Sequence, residues 1–538
     1  MQISTIDLII ILAYLIGIVA LGIFATRKQQ LTSENYFLAG RKLSWPTIGA
    51  ALFASNISTI HLIGLAADGY RLGFVAGNWE WMATFTLILL SLIFAPFYIK
   101  TKISTLPEFL ERRFDSRSRT MLAFMAILSA LFIHIGISLY AGAIVFQQFF
   151  GVNVYISILV VSLMTTIYTV FGGLKAVVIT ENIQTVILLI GSTTLTYIAY
   201  AALKDQGINN WAELEAVLKP DQLKMLHSGD SDIGQQGYTW YAFFLGYPVL
   251  GIWYWCTDQT IVQRVLGAKA QIDAQRGALF AGLLKILPLF ILIFPGVMAF
   301  ALFEQDINHP NDTLPVLINK LLPVGLKGIF AAALLAALMS TIAAALNSCS
   351  SLVAVDILKR VNPDISDAQQ VRYGRITAVV VMLIAILWST QGAKFGSIFQ
   401  AINDIAAAIA PPISAVFLLG VFYKRGTKEA AFYTLVIGFL AGTILFLLDF
   451  EPVSGYQYIT KGLGIPFLMR GWWLFCASVL LFVIISQLTP KPDPAQIAAT
   501  TWDSPIAVLK GPLEGITDIR VAAGLLFLLL VILYMIFG

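Results

Sequence analysis

The sequence predicts an all-α polytopic membrane protein with about fourteen transmembrane helices. Of its 538 residues, 58% are hydrophobic and only 12% are charged, whereas soluble domains carry about 25% charged residues. The apolar residues form continuous runs of about 20, enough to cross a bilayer as a helix, and not the alternating segments of about 10 residues that are typical of membrane β-barrels. This composition excludes a soluble enzyme, a disordered chain and a nucleic-acid-binding protein.

The fourteen apolar runs are spaced along the whole chain, and the first is expected to be a retained membrane helix. It lacks the basic n-region and the small-residue cleavage site of a signal peptide. The runs begin near residues 5, 45, 76, 119, 153, 181, 240, 274, 328, 374, 396, 429, 469 and 520.

The positive charges predict the orientation of the chain in the membrane. The net charge is +4, and the loops after the odd-numbered spans hold 24 of the 34 lysines and arginines, against nine in the other loops and the termini. Loops rich in lysine and arginine face the cytoplasm. We therefore expect a multi-pass protein of the plasma membrane (the inner membrane of a bacterium) with both termini outside the cytoplasm.

Three spans contain polar or helix-weakening segments. Residues 50–64 place Ser, Asn, Thr and His at mid-membrane depth, residues 246–259 contain two glycines and a proline, and residues 403–412 place Asn and Asp before a proline pair. Irregular backbone at this depth must be buried or line a cavity. The first two segments lie five spans apart, in spans 2 and 7, and paired interruptions of this kind indicate an inverted-repeat secondary transporter.

The expected organisation is a single transmembrane domain, residues 1–538, built around two repeats of five helices. No P-loop or nucleotide-binding domain is present in the sequence, so a primary pump is not expected. The predicted divisions are an additional first helix at 5–27, a first repeat at 45–203, a second repeat at 240–424 and additional C-terminal helices at 429–538.

Two charged residues lie inside predicted spans, Glu80 in span 3 and Lys285 in span 8. An isolated charge at the bilayer centre costs roughly 2.5–3.5 kcal/mol on insertion scales. We expect both to line one polar cavity and to hydrogen-bond a neutral polar solute. The alternative is a structural ion pair or an anchor at the interface.

The intramembrane histidines differ in their surroundings. His61 follows a cluster of Asn, Ser and Thr and is expected to face the same cavity, whereas His134 has no polar neighbours in sequence and is expected to be a packing residue. The three cysteines lie in apolar stretches and predict no disulfide framework. The sequence offers no candidate for enzymatic catalysis.

The segment 337–350 is rich in small residues and contains adjacent hydroxyls at Ser340 and Thr341. Small residues permit close helix packing in membranes. The two hydroxyls, opposite the irregular backbone at 54–57, would also supply oxygen ligands for a hard cation. Both interpretations stay open from the residues alone.

Several motifs closely resemble those of the sodium/glucose cotransporter family, which belongs to the solute:sodium symporters. The resemblance runs from about residue 7 to residue 425 and implies the fourteen-helix form of the inverted-repeat, broken-helix (LeuT-like) transporter fold. The motifs are ASNIST (54–59), GGLKAVVITENIQTVILLIG (172–191), WYWCTDQTIVQR (253–264), AALMSTIAAALNS (336–348) and APPISAVFLLGVFYKR (410–425).

The resemblance implies two binding sites in this chain. Sodium would be held by the backbone oxygens of Ala54, Ile57 and Ala337 and by the hydroxyls of Ser340 and Thr341. The sugar pocket would be formed by Asn56, His61, Glu80, Lys285 and Asn403, with Tyr254 as an inner gate and Trp255 beside it.

Four residues depart from the family pattern. Asn403 stands where the sugar transporters of this family usually have Gln, Ala406 and Gly251 occupy positions that are polar in some relatives, and Glu181 replaces the usual Asp. The particular solute therefore stays open, with inositol-like polyols as an alternative to a glucose-like or galactose-like sugar.

The expected function is sodium-driven import of a neutral monosaccharide by alternating access. The resemblance implies that relatives moving two sodium ions use further hydroxyls just after the Ser340–Thr341 pair. Here Ile342, Ala343 and Ala344 offer no side-chain oxygen, so one sodium per sugar is expected. The expected partners are the sugar, sodium and the lipid bilayer, with no nucleic acid, and the protein is expected to be a monomer. The alternatives are a proton-coupled carrier using Asp404 or Glu181, an uncoupled carrier, and a binding-only sensor.

Overall fold

A computed structural model shows the protein as a bundle of helices. It describes residues 4–28, 30–391, 398–504, 507–510, 512–513, 515 and 517–538. Within these residues there is no β-strand, and a single isolated bridge joins Leu43 and Ala268. The all-α prediction is confirmed.

Eighteen of the helices that the described residues form are numbered here in chain order, α1 to α18. They are α1 Thr5–Thr26, α2 Trp45–Asn56, α3 Thr59–Leu72, α4 Asn78–Leu89, α5 Ala95–Lys100, α6 Ser116–Ser129, α7 Ser138–Phe150, α8 Val154–Asp205, α9 Trp240–Gly251, α10 Gln259–Leu266, α11 Gln271–Leu284, α12 Phe294–Phe303, α13 Leu326–Ser351, α14 Asp367–Ser389, α15 Ile398–Phe422, α16 Lys428–Asp449, α17 Phe467–Leu488 and α18 Ile519–Phe537.

Wider helical turns and short helices connect these elements. Single π-type segments, which are frequent at functional sites, occur at Leu90–Phe94, Ala130–Ile137, Ile252–Thr257, Leu289–Ile293, Leu352–Leu358 and Tyr458–Gly462. Short helices in the connections are Ser33–Leu38, Leu106–Arg113, Trp211–Val217, Asp232–Gln235, Thr313–Leu321, Lys359–Val361, Glu451–Ser454 and Pro494–Thr500.

Two spans are interrupted within the predicted segments, but the break in span 7 lies at Asp258 and not at the glycines and the proline that predict it. Between α2 and α3 the backbone leaves the helix at Ile57 (ψ 98°) and Ser58 (ψ 172°). In span 7 the helix continues through Pro248 and ends at Asp258, whose ψ of 123° is extended. A helix tolerates an internal proline in a membrane because neighbouring groups satisfy the freed carbonyl.

The predicted irregularity at residues 403–412 is wrong. α15 runs continuously through Pro411 and Pro412 to Phe422. Pro412 packs against Gly438 of α16, and a side chain at that glycine would collide with the proline ring. The close approach of the neighbouring helix stabilises α15 where the sequence alone favours a break.

Within the described residues, eleven helices are long and apolar enough to cross a membrane. The expected count of fourteen stays a prediction, as do the boundaries of the two repeats. The counts differ in part because α8, numbered here as one element of 52 residues, consists of two helices that meet at a kink at Gly173, where the backbone is not helical (φ 58°, ψ −155°). This left-handed backbone favours glycine, and a Cβ there would collide with the carbonyl oxygen of Tyr36.

The most buried long helix is α13, which packs against α1, α2 and α8. Its run of alanines lets these neighbours approach closely. Its N-terminus is capped by Asp7 of α1, whose Oδ1 accepts hydrogen bonds from the backbone nitrogens of Gly325 (2.8 Å) and Gly328 (2.7 Å). This cap satisfies amides at the end of the helix and ties α1 to the interior of the bundle.

Candidate functional site

Contacts of two side chains, Ser58 and His61, stabilise the break between α2 and α3. The Oγ of Ser58 lies 3.0 Å from Nδ1 of His61, and the backbone nitrogen of Ser58 donates to the same ring nitrogen at 3.3 Å. The bond from the Ser58 amide is part of a capping box at the start of α3. His61 therefore stabilises the break and also lines the adjoining cavity.

Four of the five predicted sodium-binding residues meet where α2 ends against α13. The hydroxyl of Ser340 donates to the carbonyl of Ala54 (2.8 Å) or to that of Ala337 (2.9 Å). The hydroxyl of Thr341 lies 3.3 Å from the Ala337 carbonyl. Ile57, the fifth residue, is buried at the break itself.

One oxygen at this junction is absent from the predicted set. Thr341 Oγ1 also donates to the carbonyl of Ser55 at 3.1 Å. The junction thus collects carbonyl and hydroxyl oxygens, which are the ligands that a hard cation takes.

The two intramembrane charges contact one another. Lys285 donates to Glu80 and also, at 2.5 Å, to the Oδ1 of Asn56. Its ammonium lies 5.5 Å from the centre of the Trp255 ring, a cation–π distance. Asn56 in turn donates through Nδ2 to the hydroxyl of Tyr254 at 3.1 Å.

These five residues form one network, which is called the Lys285 cluster below. The side chains of Lys285 and Glu80 are only 1% and 2% exposed, so each charge needs the other as a partner. Two alternatives are open for Glu80 and Lys285 from the sequence, a structural ion pair or a place in the wall of a cavity. The structure shows that both hold. The cluster presents an acceptor, several donors and aromatic faces on one wall.

A cavity of about 120 Å³ lies against the Lys285 cluster. All seven predicted solute-binding residues line it, and so do Gly251 and Ala406. The cavity wall also includes residues that the sequence did not single out for this role, namely Ser58, Ile60, Trp79, Ile133, His134, Ser138, Tyr247, Leu250, Trp253 and Ile402. Mixed polar and aromatic walls of this kind are typical of small-molecule sites.

A second cavity, of about 250 Å³, lies next to the first and shares Trp79 and Asn403 with it. The ring of Trp79 stacks on Phe467 of α17 with centroids 5.7 Å apart. Asn403 and Trp79 thus separate the two spaces.

His134 is buried, as expected of a packing residue, but its surroundings are polar. His134 lines the cavity, and its Nε2 lies 3.1 Å from Oδ2 of Asp258. The other oxygen of Asp258 accepts from the backbone nitrogen of Thr260 at 2.6 Å and so caps α10. His134 and Asp258 lie 124 residues apart, and no local pattern in the sequence links them.

Glu181 is already paired with a cation of the protein. Arg264 of α10 donates to both carboxylate oxygens, at 3.2 Å from Nε and 2.5 Å from Nη2, and both side chains are fully buried. Asp404, the other carboxylate weighed for proton coupling, pairs with Arg470 at 2.9 Å. Each therefore has an ion-pair partner and neither lines the cavity beside the Lys285 cluster.

Comparison with known proteins places this architecture in a family. The model of the sodium:solute symporter family matches residues 36–438. The human sodium/myo-inositol cotransporter is 34% identical, over 94% of this chain and 77% of its own length. The mouse sodium/glucose cotransporter 4 is 33% identical, over 94% of this chain and 78% of its own length.

Solved structures agree on the fold. A substrate-bound, outward-open Na⁺-coupled sialic acid symporter aligns with a TM-score of 0.77 at 22% identity, covering 91% of this chain and 99% of that one. Mhp1, a nucleobase-cation-symport-1 family transporter, aligns with a TM-score of 0.56 at 15% identity, covering 86% of this chain and 97% of that one. The family and the fold are those of multi-pass membrane transporters and not of enzymes. The chain belongs to the sodium:solute symporter family.

Proposed function

We propose that this symporter imports a neutral six-membered-ring polyol together with sodium, and that the polyol is a monosaccharide of the glucose or galactose type. The Lys285 cluster is the observation that supports this most. Its carboxylate accepts hydrogen bonds from hydroxyls, while its ammonium and amide donate to them. The aromatic rings of Tyr254 and Trp255 match the apolar faces of a pyranose. Because the buried pair has no net charge, a neutral solute is favoured over an anion or a cation.

A second candidate solute is myo-inositol, which presents the same ring of hydroxyls. Relatives that match over most of this chain include sodium/myo-inositol cotransporters from human and rabbit as well as a mouse sodium/glucose cotransporter. Asn403 is one methylene shorter than the Gln that the resemblance leads us to expect. A shorter side chain leaves more room beside the solute and changes which hydroxyl it reaches.

Sodium would bind at the junction of α2 and α13, where it replaces the direct hydrogen bonds of Ser340 and Thr341 to the carbonyls of α2. Binding there would order the broken helix that carries Asn56 and His61. Each ligand would therefore favour the other, because coupling between two sites is reciprocal. The bundle would then alternate between outward-facing and inward-facing states.

We further propose a stoichiometry of one sodium per solute and a monomeric transporter, with the lysine-rich and arginine-rich loops in the cytoplasm. Ala343 and Ala344 follow the hydroxyls proposed to bind sodium and carry no side-chain oxygen, and the carboxylate of Glu181 is occupied by Arg264. With this guanidinium as its partner, Glu181 needs no ion to balance its charge, and both of its carboxylate oxygens already accept hydrogen bonds. One ion per cycle also limits the solute gradient that the transporter can build.

A panel of labelled solutes in proteoliposomes tests this proposal. We expect glucose or galactose to accumulate when sodium is imposed outside and to equilibrate slowly when choline replaces it. If only myo-inositol accumulates with sodium, the monosaccharide assignment is wrong while sodium coupling stands. If no member of the panel responds to sodium, the proposed function fails.

A further inference from the structure

Asn347 is a buried amide on α13 whose two polar side-chain atoms make no hydrogen bond with any described residue. Its side chain is 1% exposed, and the hydroxyl of the adjacent Ser348 is likewise buried and without a partner in the described chain. Buried polar groups are nearly always hydrogen-bonded to protein, water or an ion. Asn347 and Ser348 therefore carry three buried polar atoms that water or an ion would satisfy.

The position of Asn347 relates it to the sodium junction. Ser340, Asn347 and Ser351 follow one another at helical spacing and share a face of α13. Ser340 contacts Ala54 at the end of α2, and Ser351 accepts a hydrogen bond from Gln259 at the start of α10. Asn347 thus lies between contacts to the two broken helices, about 10 Å along the axis from Ser340 at 1.5 Å per residue.

Two further buried oxygens without partners among the described residues lie on elements that contact α13, namely α10 and the segment Leu352–Leu358. Gln263, one turn after Gln259 on α10, uses its nitrogen to donate to the Phe37 carbonyl (2.8 Å), and its Oε1 has no partner among the described residues. Beyond Ser351, Asp356 is buried and its Oδ2 is equally unpartnered there, although its Oδ1 accepts from Arg119.

We propose that Asn347 and Ser348 form a transient sodium site on the route by which the ion leaves the junction toward the cytoplasm. The proposal rests on the sodium symport proposed above. Amide and hydroxyl oxygens are ligands for a hard cation, whereas residues 342–346 between the two sites offer no side-chain oxygen. The ion would move from one oxygen set to the next, with water completing its shell. Arg264 on α10 does not oppose this step because Glu181 neutralises it.

The test compares net uptake with exchange in proteoliposomes. Net uptake into sodium-free vesicles requires the ion to be released inside, whereas solute exchange at saturating sodium on both sides does not. The main variant is Asn347→Leu, which keeps the volume but removes both polar atoms. The matched control is Ser350→Ala, because the hydroxyl of Ser350 is equally buried on α13 but already donates to the Leu346 carbonyl at 2.9 Å.

We expect Asn347→Leu to slow net uptake about tenfold, because it raises the barrier to sodium release. The exchange rate and the external sodium concentration for half-maximal uptake should stay within about twofold of those of the unmodified protein. Ser348→Ala should act in the same direction, and Ser350→Ala should change neither assay. Equal losses in net uptake and exchange would show that the amide is structural. Unchanged net uptake would place the sodium route elsewhere.

A second variant keeps the test decisive if Asn347→Leu does not reach the membrane. Asn347→Asp retains the shape and adds a carboxylate, which should hold sodium longer and make internal sodium inhibit uptake at concentrations at least about fivefold lower. Unchanged inhibition by internal sodium would overturn the proposal. If the unmodified protein shows no sodium-dependent uptake, the proposed function fails and not this site alone.

Discussion

Replacing Lys285 by methionine separates the stability of the Lys285 cluster from its role in solute binding. Lys285→Met leaves the carboxylate of Glu80, which is 2% exposed, without its cation. Removing one partner of a buried ion pair costs about 3–5 kcal/mol, a large part of the roughly 5–15 kcal/mol that stabilises a folded protein. We therefore expect a marked loss of thermal stability and of protein in the membrane. Glu80→Gln, which leaves the ammonium unpaired, should behave in the same way.

The double variant Lys285→Met/Glu80→Gln removes both charges and keeps the side-chain volumes. Neutral replacements of buried pairs are often tolerated, so stability should return to near that of the unmodified protein. Solute binding should not return, because a hydrogen bond to a charged group contributes about 1.5–3 kcal/mol. That loss corresponds to solute affinity weaker by about tenfold to a hundredfold or more.

Thermal unfolding in detergent measures the stability, and equilibrium binding of labelled solute measures the affinity. The control variant is Lys320→Met/Asp306→Asn, which removes an exposed ion pair and should change neither quantity. If the double variant at residues 80 and 285 recovers both stability and affinity, the cluster is only a structural ion pair. The assignment of the solute site would then be wrong.

Three further predictions concern the ion, the solute and the stoichiometry. Ser340→Ala or Thr341→Ala should raise the sodium concentration for half-maximal uptake about tenfold, since a ligand oxygen bound to a charged species is lost; an unchanged requirement would remove these hydroxyls from the site. Asn403→Gln, which adds one methylene, should shift the ratio of monosaccharide to inositol uptake in competition assays, and an unaltered ratio would mean that Asn403 does not contact the solute. Reversal potentials at varied sodium gradients should give a coupling ratio near one, and a ratio near two would contradict the inference drawn from the ion pair of Glu181 with Arg264.

The sequence predicts the helical class and the first broken helix because these depend on composition and on local pattern. A run such as residues 5–26 has one structural solution in a bilayer, and polar residues at 55–59 are tolerated there only around irregular backbone. The choice of Lys285 and Glu80 as cavity residues follows from the same cost of burial.

The remaining features depend on contacts between distant parts of the chain. Pro411 and Pro412 suggest a break that does not occur. The packing of α16 against α15, which stabilises the helix there, cannot be derived from the proline segment itself. The pairing of His134 with Asp258 joins two helices that are far apart in sequence. The break in span 7 lies at Asp258, which caps α10 through the amide of Thr260, and not at Pro248.

Binding of radioactive sodium to the purified protein, with and without solute, tests most directly whether the proposed sodium site and the proposed solute site are thermodynamically coupled. We expect one sodium per protein, bound more tightly when glucose or galactose is present, and we expect the solute to bind more tightly with sodium by the same factor. Ser340→Ala should weaken the ion, and the double variant at residues 80 and 285 should abolish the effect of the solute. Sodium binding that does not respond to any polyol would contradict the proposed symport.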